Sequence, residues 1–161
     1  MGTGFHGGFG RTTGALVAGG KVFQSGRLEY FDYMARRTDV DKNGQFDVVA
    51  HGDPVSIIIT NRGTPLTIDA RMTAKLIMAN PDYRKGQPVR LLSCDTGAYP
   101  NGFAQHLANK LNAVVEAPTR AVWADPTGHY LVAAKQANNN EKPDLSKRGI
   151  FKKFYPGGNR K

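Results

Sequence analysis

Short apolar runs and helically spaced apolar positions predict the first elements of the chain. A helix is predicted from Ser25, which can cap its first turn. The apolar face of this helix is formed by Leu28, Phe31, Met34 and Ala35. Residues 39–44 are rich in Asp, Asn and Gly and predict a turn. Residues 46–50 and 55–60 are apolar runs typical of strands inside a sheet.

The middle of the chain predicts two more helices separated by a strand. The first is capped by Thr67 or Asp69 and stops before Pro81, which cannot continue a helix. Its apolar positions are Ile68, Met72, Leu76 and Ala79. Residues 88–93 predict a buried strand, and Asn101 caps the next helix. The buried face of that helix is formed by Phe103, Leu107, Ala108 and Leu111.

These elements, completed by a strand over 113–117, define the fold class. The order strand, helix, strand, helix, strand predicts an α/β domain with a small, mostly parallel sheet flanked by helices. Residues 125–128 form the turn of a predicted C-terminal β-hairpin. The glycine-rich residues 1–20 predict a flexible lead-in. Residues 21–161 then form a single α/β catalytic domain that ends in a basic tail over 135–161.

Composition limits the classes of partner and site. Lysine and arginine number 22 against 13 acidic residues, a formal charge of +9 that favours polyanions and acidic proteins as partners. A single cysteine excludes an intrachain disulfide. No metal site and no cofactor are predicted, because the histidines lack ligand spacing; they are His6, His51, His106 and His129. With no run of about 18 apolar residues and no charged segment before an apolar one, neither a membrane span nor a signal peptide is predicted.

His51 and Cys94 are the candidate catalytic residues. Each follows a predicted strand, at the edge of the sheet where α/β proteins bind ligands. An imidazole within hydrogen-bond reach of a thiol can convert it to the thiolate, which is the nucleophile. Gly52 allows a substrate carbonyl to approach closely, and its N–H together with that of Cys94 predicts an oxyanion hole.

These two strand ends resemble a known family. An apolar strand ending in His-Gly, followed by one ending in Cys, resembles the dyad signature of the caspase-like cysteine peptidases, and "LLSCDTG" is similar to that segment of the CHAT-like members. The resemblance covers residues 45–117. It implies a caspase-like fold with His51 as base and Cys94 as nucleophile. The expected oxyanion and substrate residues around this dyad are Gly52, Asp53, Asp95 and Gly97.

A longer stretch resembles a class of bacterial toxins. The segments "VVAHGDP", "LLSCDTGAYPNGFAQHLANKL", "APT" and "FYPGG" are together similar to C-terminal domains of polymorphic toxins of the rearrangement-hotspot (Rhs) type. This resemblance implies a cysteine peptidase toxin that is secreted as part of a larger carrier polypeptide and cleaves a protein in the target-cell cytoplasm. It also implies an acidic immunity protein as inhibitor, a partner that a charge of +9 favours.

Two alternatives stay open at this point. His129 opens the strand after the 125–128 turn, and a histidine that follows Cys94 in the chain gives the papain-like order of catalytic residues. The basic charge also permits a nuclease or a nucleic-acid-binding toxin domain. For a metal nuclease, the nearest acidic neighbours of His51 in sequence are Asp47 and Asp53.

Overall fold

The structure, a computed structural model, describes residues 28–39, 42–61 and 64–158. The predicted lead-in over 1–20 and the predicted cap Ser25 lie outside these ranges. The helices of the described residues are Leu28–Met34 (α1), Ala70–Ala79 (α2) and Phe103–Leu111 (α3), with a short 3-10 helix at Lys42–Gly44. None of these helices combines the length and the apolar character that crossing a membrane requires.

The strands of the described chain form three sheets. In chain order they are Phe46–Val49 (β1), His51–Gly52 (β2), Ile57–Asn61 (β3), Thr64–Ile68 (β4), Val89–Leu92 (β5), Val115–Pro118 (β6), Ala121–Ala124 (β7), Tyr130–Gln136 (β8), Asn139–Arg148 (β9) and Phe151–Phe154 (β10). The sheets have the strand orders β1-β5-β6-β10, β2-β3-β4 and β7-β8-β9.

The four-stranded sheet is the partly parallel sheet of an α/β protein. β1, β5 and β6 run parallel, with Val48 opposite Leu91 and Val89 opposite Val115, whereas β10 runs antiparallel to β6. Both three-stranded sheets are antiparallel. The predicted α/β class is therefore confirmed, but the molecule combines one mostly parallel sheet with two antiparallel ones. β1 and β5 are direct neighbours, so their carboxyl ends meet at one edge.

The four-stranded sheet is covered on both faces, because alternate side chains of each strand point to opposite sides. On one face it packs against α2 and α3, with a core that includes Phe46, Val48, Leu91, Ile77 and Leu107. On the other face Val49 and Leu92 pack with Phe31 and Met34 of α1, and residues of β7, β8 and β10 complete that cluster. This second face leads directly to the strand ends that hold His51 and Cys94.

The predicted strand 55–60 belongs to a hairpin that the sequence analysis missed. The strand begins at Ile57 and pairs antiparallel with β4, a strand that was not predicted. Thr67, one of the two expected caps, lies in β4. Asp69 is the cap of α2, since its carboxylate accepts a hydrogen bond of 2.9 Å from the N–H of Met72.

The buried faces of two helices differ from prediction. In α2 the buried side chains are those of Ala70, Thr73, Ala74 and Ile77. Of the four predicted positions, Ile68 is buried but belongs to β4, and Leu76 packs against the core. Met72 is 44% exposed and Ala79 is also exposed. Ala35 lies beyond the end of α1 and is exposed, while Phe31 and Met34 are buried as predicted.

The third helix buries its predicted face, but begins at a different cap. Phe103, Leu107, Ala108 and Leu111 are all buried. The N-cap is Gly102 instead of Asn101, and a Cβ at that position would lie 2.7 Å from the carbonyl oxygen of Pro54. Close packing of the chain between β2 and β3 therefore decides where this helix starts.

The segment predicted as a basic tail instead contains β9 and β10. Phe154 is buried in the main core and Phe151 packs on the opposite face of the sheet, with the exposed Lys152 and Lys153 between them. Two apolar anchors in a short strand fix this segment to β6, where Phe154 is opposite Val115. The predicted hairpin around 125–128 is present as β7 and β8.

Candidate active site

His51 and Cys94 lie at the carboxyl edge of the four-stranded sheet and line one cavity. β1 ends at Val49 and β5 at Leu92, and the N–H of Ala50 donates to the carbonyl oxygen of Leu92 at 3.4 Å. The segments that follow β1 and β5 therefore lie side by side. The cavity has a volume of about 310 Å³, and its lining includes Tyr30, His51, Gly52, Ile58, Cys94, Asp95, Val122, Trp123 and Lys135.

Aromatic side chains of α1 pack against the imidazole of His51. The ring of Phe31 meets it edge to face, with centroids 4.8 Å apart and planes at 82°. The ring of Tyr30 lies 6.1 Å from it at a tilt of 32°. Edge-to-face contacts of this kind fix ring orientation as well as burying apolar surface. The half-buried imidazole is therefore held by α1 at the cavity wall.

The sulfur of Cys94 receives a backbone hydrogen bond. The N–H of Val122 in β7 lies 3.3 Å from Sγ, within the range for a donor to sulfur. A hydrogen bond to the charged form of a group favours that form, whereas the carbonyl oxygen of Val122, 3.9 Å from Sγ, can accept only from the neutral thiol. The side chain is half-buried, which leaves access from the cavity.

Tyr30 forms the inner wall of the cavity. Its hydroxyl donates a hydrogen bond of 2.6 Å to the carbonyl oxygen of Leu92. Burial raises the pKa of Tyr30 well above its ordinary value, and the negative charge of Cys94 raises it further. The phenol is therefore neutral at neutral pH and adds no charge to the cavity wall.

The turn after Cys94 is held by backbone contacts. Asp95 has a φ of 62°, in the left-handed region, and its N–H donates to the carbonyl oxygen of Arg120 at 3.0 Å. The N–H of Gly97 donates to Pro118 at 2.8 Å, and a Cβ on Gly97 would lie 2.7 Å from the carbonyl oxygen of Ala117. Gly97, an expected substrate residue, therefore serves close packing of this turn against β6.

Gly52 lies against the same turn. A Cβ at Gly52 would lie 2.8 Å from Cγ2 of Thr96 and 3.1 Å from the carbonyl oxygen of Cys94. Real Cβ atoms essentially never show the shorter of these separations and rarely show the longer one, so glycine lets β2 lie close to the backbone around Cys94. This contact sets the separation between the two strand ends.

Asp53 and Asp95, the two expected carboxylates, have different surroundings. Asp53 accepts hydrogen bonds of 2.8 to 2.9 Å from the N–H groups of Val55 and Ser56 and from the Ser56 hydroxyl, which makes it the cap of a tight turn. Asp95 lines the cavity and is half-buried. Burial raises the pKa of Asp95, and the charges of Lys135 and Arg120 oppose that rise.

The alternative histidines lie elsewhere. His129 lines a different cavity, and its Nδ1 lies 2.8 Å from the Thr127 hydroxyl. His106 is exposed on α3. Asp47, an acidic neighbour of His51 in sequence, is fully buried and forms ion pairs with Arg37 and Arg90. Across 28–39, 42–61 and 64–158, no group of three or more Asp, Glu, His or Cys side chains is placed to hold a metal ion.

Several residues of the cavity were missed by the sequence analysis. Tyr30 and Trp123 are aromatic residues far from Cys94 in sequence, and Lys135 was assigned to a tail. Each reaches the cavity through pairing or packing between distant segments: Trp123 is held by a 2.9 Å hydrogen bond from its indole N–H to Ala133. The apolar periodicity of α1 marked Phe31 as a core residue but gave no sign that it contacts His51.

The comparisons give one family match. A family model described as "Domain of unknown function (DUF8616)" matches residues 21–132, which is well over half of the chain and includes both His51 and Cys94. No curated protein and no solved structure matches the chain.

Proposed function

We propose that this chain, which belongs to the DUF8616 family, is a cysteine peptidase that uses Cys94 as nucleophile and His51 as base. The observation that supports this most strongly is the shared cavity at the carboxyl edge of β1 and β5, which both side chains line. We also propose that the chain is related to the caspase-like peptidases, because one strand leads into His51-Gly52 and the next into Ser93-Cys94.

The proposed reaction has two steps. His51 takes the proton of the Cys94 thiol, and the thiolate attacks the carbonyl carbon of the scissile peptide bond. The resulting imidazolium gives its proton to the amine that leaves, so that a thioester to Cys94 remains. His51 then takes a proton from water while the resulting hydroxide attacks the thioester carbonyl. The C–S bond breaks, the imidazolium returns its proton to the Cys94 thiolate, and the acid product leaves as a carboxylate after losing its proton to solvent. No cofactor takes part in either step.

Local contacts support this division of roles. The hydrogen bond from Val122 to Sγ favours the thiolate, and the Phe31 and Tyr30 rings hold the imidazole at the cavity wall. The N–H groups of Gly52 and Cys94 are the proposed oxyanion donors, because the Gly52 backbone packs directly against that of Cys94. Asp95 lies at the same cavity and is the proposed contact to substrate.

The biological setting is proposed from the resemblance to Rhs-type toxin domains. In this setting the chain is delivered by secretion as part of a larger carrier and cleaves a protein in the target-cell cytoplasm. An acidic immunity protein would cover the cavity. The overall charge of +9, and the influence of Lys135 and Arg120 on Asp95 at the cavity, support an acidic partner there.

Neither alternative gains a supporting observation. A papain-like pair would require His129 near Cys94, whereas His129 lines the other cavity with Arg90 and Tyr130. A metal nuclease would require a free carboxylate at Asp47, whose oxygens accept hydrogen bonds from two arginines.

Three matched variants test the proposed function. Cys94→Ala and His51→Ala are expected to lower cleavage of a proteome-derived peptide library by at least about 1,000-fold, as loss of a nucleophile or its base does in other peptidases. His129→Ala is the control and should retain most activity. Circular dichroism and thermal melting confirm that each variant is folded. Full activity in Cys94→Ala would end the peptidase proposal, and loss in His129→Ala with survival in His51→Ala would transfer the base to His129.

A further inference from the structure

The chain segments that lead to His51 and to Cys94 meet at one backbone atom, the carbonyl oxygen of Leu92. The N–H of Ala50, which directly precedes His51, donates to this oxygen at 3.4 Å. Leu92 is the last residue of β5 and lies two residues before Cys94. The position of this carbonyl therefore affects both members of the proposed dyad.

The backbone hydrogen bond to Leu92 is long. At the other end of the same two strands the N–H of Phe46 donates to Pro88 at 2.8 Å, whereas the bond from Ala50 to Leu92 is 3.4 Å. Backbone hydrogen bonds are usually about 2.9 to 3.0 Å long. The backbone pairing of the segments after β1 and β5 is therefore weak at the carboxyl edge, where the two side chains lie.

The Tyr30 hydroxyl supplies a short hydrogen bond at this point. It donates to the Leu92 carbonyl oxygen at 2.6 Å, and a carbonyl oxygen has two lone pairs, so it can accept from Ala50 as well. The ring of the same tyrosine lies against the imidazole of His51, with centroids 6.1 Å apart. Tyr30 thus contacts both the base and the strand that leads to Cys94.

The helix that carries Tyr30 is firmly anchored. Phe31 and Met34 of α1 are almost completely buried. Just after the helix, Arg37 donates to the carbonyl oxygen of Met34 at 2.8 Å and forms a buried ion pair with Asp47 of β1. α1 therefore gives the Tyr30 hydroxyl a fixed position from which to hold Leu92.

We propose that Tyr30 is a positioning residue that fixes the orientation of the His51 imidazole relative to the Cys94 sulfur. This inference rests on the proposed function, in which His51 is the base for Cys94. The hydroxyl takes no part in proton transfer, because it donates to a backbone carbonyl; it holds the end of β5 while the ring orients the imidazole. A displacement of about 1 Å between reacting groups can lower a rate by about 100-fold.

Tyr30→Phe tests the hydroxyl, because it keeps the ring and removes a single oxygen atom. With a peptide that the parent cleaves, kcat is expected to fall by about 10-fold or more while KM changes little. Tyr99→Phe, at an exposed tyrosine outside the cavity lining, is the matched control and should match the parent. Circular dichroism and thermal melting show whether both variants are folded.

The pH profile of iodoacetamide alkylation reports on the dyad without a substrate. A displaced imidazole stabilises the thiolate less, so in Tyr30→Phe the rate should rise at a higher pH than in the parent, closer to the free-cysteine pKa of about 8.5. Asp95 and Lys135, the other ionisable side chains of the cavity lining, are the same in both proteins.

A double variant separates positioning from a direct effect on the sulfur. If Tyr30 acts through His51, adding Tyr30→Phe to His51→Ala should cause no further shift of the alkylation profile. A further shift, or a Tyr30→Phe variant with the profile and kcat of the parent, would overturn the proposal. A lower melting temperature with an unchanged profile would show a purely structural role and would also overturn it. The proposed function fails by a different result, a parent profile that His51→Ala does not alter.

Discussion

Asp95 directly follows Cys94, and two features of this residue oppose each other. Its φ of 62° is a conformation that few side chains other than Asp and Asn tolerate, which favours a short polar residue at this position. Its carboxylate is half-buried at the cavity, where burial penalises the charged form. The backbone thus favours the residue type while the surroundings disfavour its charge.

Asp95→Asn is expected to stabilise the fold at neutral pH. A carboxyl whose pKa is raised in the folded state lowers the free energy of unfolding when it is ionised. This loss is complete above its folded pKa and vanishes below its unfolded pKa of about 3.9. Asparagine removes the charge and keeps the left-handed backbone. Urea denaturation across pH should show a gain in the free energy of unfolding at neutral pH that disappears in acid.

Asp53→Asn is the matched control for that experiment. Asp53 accepts three hydrogen bonds within its turn, so the same change of carboxylate to amide should destabilise the fold slightly. A loss of stability in Asp95→Asn at neutral pH would mean that the charges of Lys135 and Arg120 outweigh burial at this site.

At the scale of elements, β1 and β5 contribute to the main apolar core on one face, and on the other face they place a buried ionic cluster beside the apolar contacts of Val49 and Leu92. Asp47 and Arg90 are direct partners in the parallel register, and Asp47 also pairs with Arg37, at the carboxyl end of α1. Asp47 is completely buried. The cluster therefore joins α1 to both strands, and α1 in turn contacts His51.

Asp47→Asn is expected to cost about 3 to 5 kcal/mol in the free energy of unfolding, because it leaves two buried arginines without their shared counter-ion. Asp82→Asn, at an exposed carboxylate, should change stability by less than about 0.5 kcal/mol. Urea denaturation monitored by tryptophan fluorescence measures both. A cost below about 1 kcal/mol for Asp47→Asn would show that Asp39 can replace it as the counter-ion.

Sequence patterns predicted some elements better than others, for physical reasons. Local apolar patterns were enough to predict the strands β1 and β5 and the buried face of α3. β4 was missed because four of its five residues are exposed and it is held by pairing with β3. The face of α2 was predicted only in part, because Ile68 belongs to that unpredicted strand and the helix turns Met72 and Ala79 to its exposed side, while Leu76 packs against the core.

At the scale of the whole molecule, the covering layer of the sheet completes both cavities. α1, β7 and β8 lie over one face, with Tyr30 and Val122 at the carboxyl edge and Tyr130 at the amino end. The positions of His51 and Cys94 at the carboxyl edge followed from the order of strands and helices. Tyr30, Trp123 and Lys135 could not be predicted, since they reach the site only when this layer folds over the sheet.

The central claim, that His51 activates Cys94, is tested most directly by the rate at which iodoacetamide alkylates the native protein as pH is varied. The rate is expected to rise at a lower pH than for a free cysteine, which ionises with a pKa of about 8.5. His51→Ala should remove this early rise, and His129→Ala should leave it unchanged. A thiol that reacts only after denaturant is added, or a profile that His51→Ala does not alter, would contradict the claim.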